Sequence, residues 1–524
     1  MTTRFGFRLA LLLGLAVLPG ILQAQSGDEL KSEEYLLLGS PNRGAGEPII
    51  FVNPKDPNNI IVTAMATLNR LPAGEVPISR FDPANLGGSV NPAATQLRIK
   101  ELSTPDGSRT DIAVSHDRGK TWSFSEDNFR KFFEKNRCSD SFSGAGPDGT
   151  LYMGCLAYLN RGAADYEDGY APNGEARTYH GGSAIAWSTD KGKTWSDPVW
   201  VHPADSPRLY PPTVKPVFEQ ASPWDRPFFV ADASTGTIYI SGHGAAYTVD
   251  PATVPRPKID PSLPGKGYTG YPPFSVTRFR TFLRASHDKG KTWGMIYPID
   301  SDEYPGMMGS FNAAHGKLVV AYTASKVPAT VNANCPCTIF GTSTDDGKTY
   351  SYSVVPPLPD EPNKSERPFF GFGSVMVGAD PSKDGRYAIA RQAGKRIMVS
   401  ITEDGGTTWL PPVVAAEVPT DASFGHRWMK YSPEGDLGLI WKAMYQDKSF
   451  DVWSAASRDG GHTFKTIRIS HAVSPDYIPE RGNFLFGDDL STVELDNEYL
   501  YAVWGDNRSG FEATWYGRVP LSAY

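Results

Sequence analysis

With 524 residues, of which 40% are hydrophobic and 12% aromatic, the chain has ample material for a large packed core. Gly 52 and Pro 44 make it turn-rich without reaching low-complexity levels, so a disordered or fibrous protein is not expected. The net charge of −7, with no Lys/Arg-dense run to offset it, weighs against nucleic acid as a partner.

Residues 1–24 read as a secretory signal. Arg4 and Arg8 form its positive start, residues 11–18 its apolar run, and Leu22-Gln23-Ala24 a small-residue cleavage point. This segment holds those two arginines and no acid, so its removal takes −7 to −9. Its apolar part is short for a membrane span, and no later stretch approaches ~20 apolar residues. The expected product is a secreted chain, extracellular or periplasmic, with no membrane attachment after cleavage. Its four cysteines suit an oxidising compartment. Cys138 and Cys155 flank a hairpin pattern and are placed to pair, whereas Cys335 and Cys337 are so close in sequence that a bond between them would be strained. Metal ligation by Cys335 and Cys337 has no second Cys pair or His cluster to complete it, so neither metal nor cofactor is expected.

Beyond the signal, one unit recurs: an apolar strand, a turn, and a second apolar strand. The first copy runs from Glu47-Pro48 through the turn 53–59 to residues 60–65. Others centre on the turns 147–150, 234–236, 314–317, 382–385 and 433–436. After each comes an eight-residue motif, first seen as Ser115-His116-Asp117-Arg118-Gly119-Lys120-Thr121-Trp122. It returns from Ser188, Ser286, Ser343, Thr402 and Ser457 as Ser/Thr-x-Asp-x-Gly-x-Thr-aromatic. An acid two residues before Gly suits a tight turn, in which the carboxylate accepts backbone N–H groups and Gly supplies φ > 0. Six equivalent catalytic acids make no chemical sense, so Asp117, Asp190, Asp288, Asp345, Asp404 and Asp459 are read as structural.

With a strand entering and leaving each motif, every repeat holds four short antiparallel strands, which is a propeller blade. A seventh unit at 489–518 lacks the motif and is one strand short. Residues 35–38, ahead of the first blade, are placed to supply that strand and close the ring. The fold expected is all-β: one seven-bladed β-propeller over 25–524, with six blades as the alternative. Long insertions at about 69–110, 160–180 and 244–275 fall between the second and third strands of their blades, on the face opposite the Asp motifs. Loops on a rigid scaffold commonly carry binding groups, and Tyr166, Tyr170, Tyr179, Tyr268 and Tyr271 within them are candidates to stack on sugars.

The entrances to the innermost strands share that face and ring the central channel. They bring the acids Glu47, Asp140, Asp225, Glu366 and Asp488 as candidate catalytic groups, and Arg226, Arg367, His426, Arg427 and Arg481 as candidate substrate-binding groups. Arginine grips carboxylates in a bidentate way, and paired carboxyl groups can serve as acid and base. The competing reading of Asp225-Arg226-Pro227 and Glu366-Arg367-Pro368 is a repeated blade-start device whose ions pair with one another. No metal-protease helix motif, nucleophile elbow, phosphate loop or dinucleotide fingerprint is present.

The six Asp motifs resemble the Asp-box, or BNR, repeats of the sialidase-like propeller superfamily, over most of the chain after residue 24. The stretch 482–489, continuing to Trp504-Gly505-Asp506-Asn507-Arg508, resembles the closing repeat of secreted bacterial members. The resemblance implies a propeller. For sialidases it also implies three arginines on the substrate carboxylate, a Tyr–Glu nucleophile pair and an Asp acid. Where sialidases carry Arg-Ile-Pro, this chain has Glu47-Pro48-Ile49-Ile50. The expected function is a secreted carbohydrate-active enzyme, a sialidase-like glycoside hydrolase acting on extracellular glycan or another small polar substrate at the channel mouth. The alternatives are a non-catalytic propeller that binds glycan or protein, and a lyase or cyclase using the same pocket.

Overall fold

The apolar runs become strands buried on both faces between neighbouring sheets. Ile60, Ile61, Val62, Leu318, Val319, Val320, Leu500, Ala502 and Val503 are fully buried. Each large apolar side chain so placed contributes roughly 1.5–3 kcal/mol. In this computed structural model the described residues are 31–39, 43–68, 109–126, 137–158, 181–203, 226–250, 253, 277–306, 308–359, 375–475, 490–509 and 511–524.

Strand β1 (Glu33–Leu38) comes first. Blade 1 is β2 (Arg43–Val52), β3 (Ile60–Leu68), β4 (Arg109–Ser115) and β5 (Ser123–Glu126). Blade 2 is β6 (Arg137–Ala145), β7 (Leu151–Tyr158), β8 (Gly181–Ser188) and β9 (Val199–Pro203). Blade 3 is β10 (Phe229–Ala231), β11 (Ile238–Tyr247), β12 (Thr277–Ser286) and β13 (Ile296–Pro298). Blade 4 is β14 (Ser310–Ala314), β15 (Lys317–Ala324), β16 (Cys337–Ser343) and β17 (Ser351–Val354). Blade 5 is β18 (Val375–Ala379), β19 (Tyr387–Ala393), β20 (Arg396–Thr402) and β21 (Val413–Glu417). Blade 6 is β22 (Ala422–Tyr431), β23 (Leu437–Tyr445), β24 (Phe450–Ser457) and β25 (Lys465–Arg468). Blade 7 is β26 (Ser491–Leu495), β27 (Tyr499–Asp506) and β28 (Ala513–Pro520), with β1 outermost.

Among the described residues these strands form seven four-stranded antiparallel sheets. The innermost strands touch in order, β2 with β6, then β10, β14, β18, β22 and β26, and β26 returns to β2. The molecule is therefore a seven-bladed β-propeller, and the six-bladed alternative falls.

The seventh blade mixes the two ends of the chain. Tyr35 of β1 lies opposite Tyr516 of β28. A buried charge cluster fixes this strand. The Glu34 carboxylate accepts from the Arg508 guanidinium, which also bonds Asp506 at 2.8 Å, and from the His471 backbone N–H at 2.7 Å. Arg508 in turn lies 3.9 Å over the Trp515 ring. Burial pushes the Glu34 carboxyl up to about 7, against the pull of Arg508.

Each Asp motif closes on itself. Ser115 Oγ accepts from the Gly119 N–H at 2.8 Å and donates to Asp117 Oδ1 at 2.8 Å. Asp117 then accepts from the Thr121 N–H at 2.8 Å and the Thr121 hydroxyl at 2.6 Å. The same bonds recur around Asp190, Asp288, Asp345, Asp404 and Asp459. Gly119 has φ +79°, and a Cβ there would run into the Tyr516 ring. The motifs share an end of the ring with the turns between first and second strands, since Arg118 N–H donates to Asn58 O at 3.0 Å and Gly405 N–H to Gly385 O at 3.0 Å. The starts of the first strands and the ends of the second strands therefore lie at the opposite end. Two disulfides are formed, Cys138–Cys155 with Cα atoms 5.6 Å apart and Cys335–Cys337 with Cα atoms 4.4 Å apart.

Candidate functional site at the channel mouth

On blades 1, 2 and 3 a charged residue in the left-handed region lies within or just ahead of the innermost strand. These are Glu47 (φ 50°), Asp140 (φ 45°) and Arg226 (φ 54°). For a non-Gly residue this conformation costs on the order of 1–3 kcal/mol, and such strain concentrates at functional sites. Two of the three are bulges. Glu47 and Pro48 together oppose Ala64, because the pairing shifts between Gly46 and Ile49. Asp140 and Ser141 likewise fall in the shift between Ser139 and Phe142. A two-for-one register bends the strand and re-aims a side chain. At Pro48 it also spares the ladder a missing donor.

The three residues meet across blade boundaries. Arg226 Nη2 lies 3.8 Å from Glu47 Oε1, and the Arg226 backbone N–H donates to Asp140 Oδ2 at 3.1 Å. Glu47 is buried, whereas Asp140 and Arg226 are half-buried. One strand further out, His243 is fully buried, with a ring nitrogen 2.8 Å from Thr281 Oγ1. Burial, aided by the Arg226 charge, pushes its pKa down to about 3, so it stays neutral through the physiological range.

The remaining candidates are placed differently. His426 sits in a third bulge, between Phe424 and Arg427 of β22, and is buried. Arg427 turns to blade 5, where its Nη1 donates to Gln392 Oε1 at 2.8 Å, and burial lowers its pKa to about 10. Asp225, Glu366, Asp488, Arg367 and Arg481 lie outside the described residues, as do Tyr166, Tyr170, Tyr179, Tyr268 and Tyr271. Among the described residues no group of three His, Cys, Asp or Glu side chains is disposed to hold a metal, and no helix is long and apolar enough to cross a membrane.

Below the mouth runs the axial channel, lined by the inner strands of six blades. Phe228 and Trp428 meet there with ring centroids 5.0 Å apart. Deeper, Lys430 pairs with Glu494 at 3.0 Å and lies 4.8 Å over the Phe51 ring. Burial raises the Glu494 carboxyl above its ordinary value while Lys430 lowers it. His243, Phe228 and Trp428 carry no signal in the sequence beyond membership of an apolar strand.

As a chemical device the mouth offers two carboxyl groups and one guanidinium on strained, rigidly held backbone. Such a set can grip an anionic or hydroxyl-rich group and move protons beside it.

Among solved structures, the chain is similar to a protein of unknown function from Dyadobacter fermentans, at 13% identity over 94% of this chain and 99% of that one, with a TM-score of 0.45. It is also similar to a Trypanosoma rangeli sialidase bound to the inhibitor DANA, at 14% identity and a TM-score of 0.42, over 82% of this chain and 59% of that one. A third similarity is to an intramolecular trans-sialidase from Ruminococcus gnavus in complex with oseltamivir carboxylate, at 14% identity and a TM-score of 0.38, over 73% of this chain and 94% of that one. No protein-family model matches the chain, and no curated protein matches it. What the strand pairing establishes by itself is the seven-bladed propeller.

Proposed function

We propose that the protein is a secreted, sialidase-like glycoside hydrolase that acts on extracellular glycan at the channel mouth. The observation that carries this reading is the meeting of Glu47, Asp140 and Arg226, each held at positive φ on one of three consecutive blades. Arg226 grips an anionic or hydroxyl-bearing group of the glycan. Of the two carboxyl groups, one protonates the leaving oxygen while the other activates water or attacks the sugar carbon. The signal over 1–24 directs the chain out of the cell, and no metal or cofactor takes part.

A second reading, glycan binding without turnover, is favoured by the Glu47–Arg226 pair, which already occupies the guanidinium within the protein. One experiment separates the two: the purified protein is screened against aryl glycosides and polysaccharides for both turnover and binding. Under the first reading a substrate is hydrolysed, and Glu47→Gln or Asp140→Asn lowers kcat by about 10²–10⁴-fold with binding retained. Binding without hydrolysis moves the protein to the second reading. Neither binding nor hydrolysis rejects both.

A further inference from the structure

The mouth is charged, but the axis directly beneath it is apolar. Phe228 follows Arg226 by two residues and Ile49 follows Glu47 by two, so polarity reverses within one step of each innermost strand. Large aromatics packed between blades, such as Trp441, Trp504 and Trp515, are almost fully buried. Trp428 and Phe51 are on innermost strands, yet both keep partial exposure, as does Lys430. All three line the axial channel, which accounts for that exposure. The channel is thus a real space with aromatic walls, not a seam in the core.

The Lys430–Glu494 pair, 3.0 Å apart, lines the channel on the side away from the mouth, each charge neutralised by the other. From Trp428 to Lys430 is two residues of strand, about 7 Å, or the depth of one six-membered ring. Apolar pockets bounded by a few fixed polar groups are the usual form of small-molecule sites. Aromatic walls favour a ring presented edge-on or offset.

We propose that the axial channel is an apolar subsite for a single aromatic or cyclic alkyl group carried by the ligand bound at the mouth. The inference rests on the mouth being the glycan site, and it names the substrate class as an amphipathic glycoside: sugar among Glu47, Asp140 and Arg226, one ring inserted beside Phe228 and Trp428. Lys430 and Glu494 set the length limit, so a fused two-ring group is excluded.

The test uses the full chain and phenol as probe, read by tryptophan fluorescence and melting temperature, with 2-naphthol as the oversized control. Phenol is expected to bind and 2-naphthol to fail. For whichever sugar is turned over, the phenyl glycoside is expected to bind about 10-fold more tightly than the methyl glycoside, the effect of burying one ring. Trp428→Ala should weaken phenol and leave 2-naphthol excluded, since Lys430 and Glu494 are untouched. The milder Phe228→Leu should weaken phenol while keeping the wild-type melting profile, so a misfolded first variant does not end the test. If phenyl and methyl glycosides are processed alike and phenol does not bind, the subsite is refuted and the mouth reading stands. If phenol binds and Trp428→Ala weakens it but no glycan is bound, the channel site survives and the mouth reading falls. Phenol binding that is unchanged in both variants overturns the proposal.

Discussion

Blades 1–3 and blades 4–6 are built from the same unit and spend it differently. In the first group, long connections join the second and third strands, and Glu47, Asp140 and Arg226 stand at positive φ within or just ahead of the innermost strands. In blades 5 and 6 the corresponding connections shrink to the short gaps Ala393 to Arg396 and Tyr445 to Phe450. The far face differs as well. The residue after the motif Asp is cationic in blades 1–3 and reaches back to the preceding blade: Arg118 to Asp496 and Glu498, Lys191 to Asp56 at 2.7 Å, Lys289 to Asp148 at 2.7 Å. In blades 4–6 that position is Asp346, Gly405 and Gly460. What stays constant is the closed Ser/Thr–Asp–Gly–Thr turn. The difference teaches that a blade's two ends vary independently of its fastening, which leaves one half of the ring free to carry a site.

The sharpest way to break this comparison is at Arg226. Arg226→Ala should lower glycan turnover by at least about 100-fold, the scale of losing one preorganised charged contact. Arg458→Ala, at an exposed side chain of a compact blade whose partner Asp436 lies 3.1 Å away, should leave turnover unchanged in the same assay. Equal effects would dissolve the distinction between the halves. The fastening should behave oppositely, being common to both: Ser188→Ala and Ser457→Ala are each expected to cost about 1–2 kcal/mol by urea titration, since each strands a motif N–H.

The seventh blade answers to pH instead. Glu34 has a folded pKa of about 7, above its ordinary 4.5, so its contribution is full below about pH 4.5 and is lost as pH rises through 7. The groups facing it are Arg508, Asp506 and His471. Wild-type melting temperature should therefore fall between pH 5 and pH 8 by more than that of Glu34→Gln; parallel curves would refute the assignment. The smallest effect is expected for Lys191→Ala or Lys289→Ala. Both side chains are more than half exposed, and each pair contributes about 0.2–1 kcal/mol, less at high salt.

The blade count was legible because the blade's signals are local. A Ser, an Asp, a Gly and a Thr within eight residues bond one another, and each first hairpin spans a few turn residues. The mouth was legible only in part. Glu47, Asp140 and Arg226 could be picked out as charged residues at strand entrances, but their meeting joins blades 1, 2 and 3, and no local pattern encodes it. Nor does a bulge announce itself, although Pro48 is a hint, since a proline inside a paired strand needs such a break. His243 lies in a sequence, Ile-Ser-Gly-His-Gly-Ala, that reads as ordinary buried strand. Phe228 and Trp428 are indistinguishable from core aromatics until the ring closes and sets them facing one axis.

The pairing of β1 with β28 also has a consequence for timing. A ribosome delivers β1 well before its partner Ala513–Pro520, with six whole blades made in between. Until β28 is made, Tyr35, Leu36, Leu37 and Leu38 have no ladder to join, and an unpaired apolar strand invites association with other chains. Closure therefore waits on β28, after the other six blades have been made.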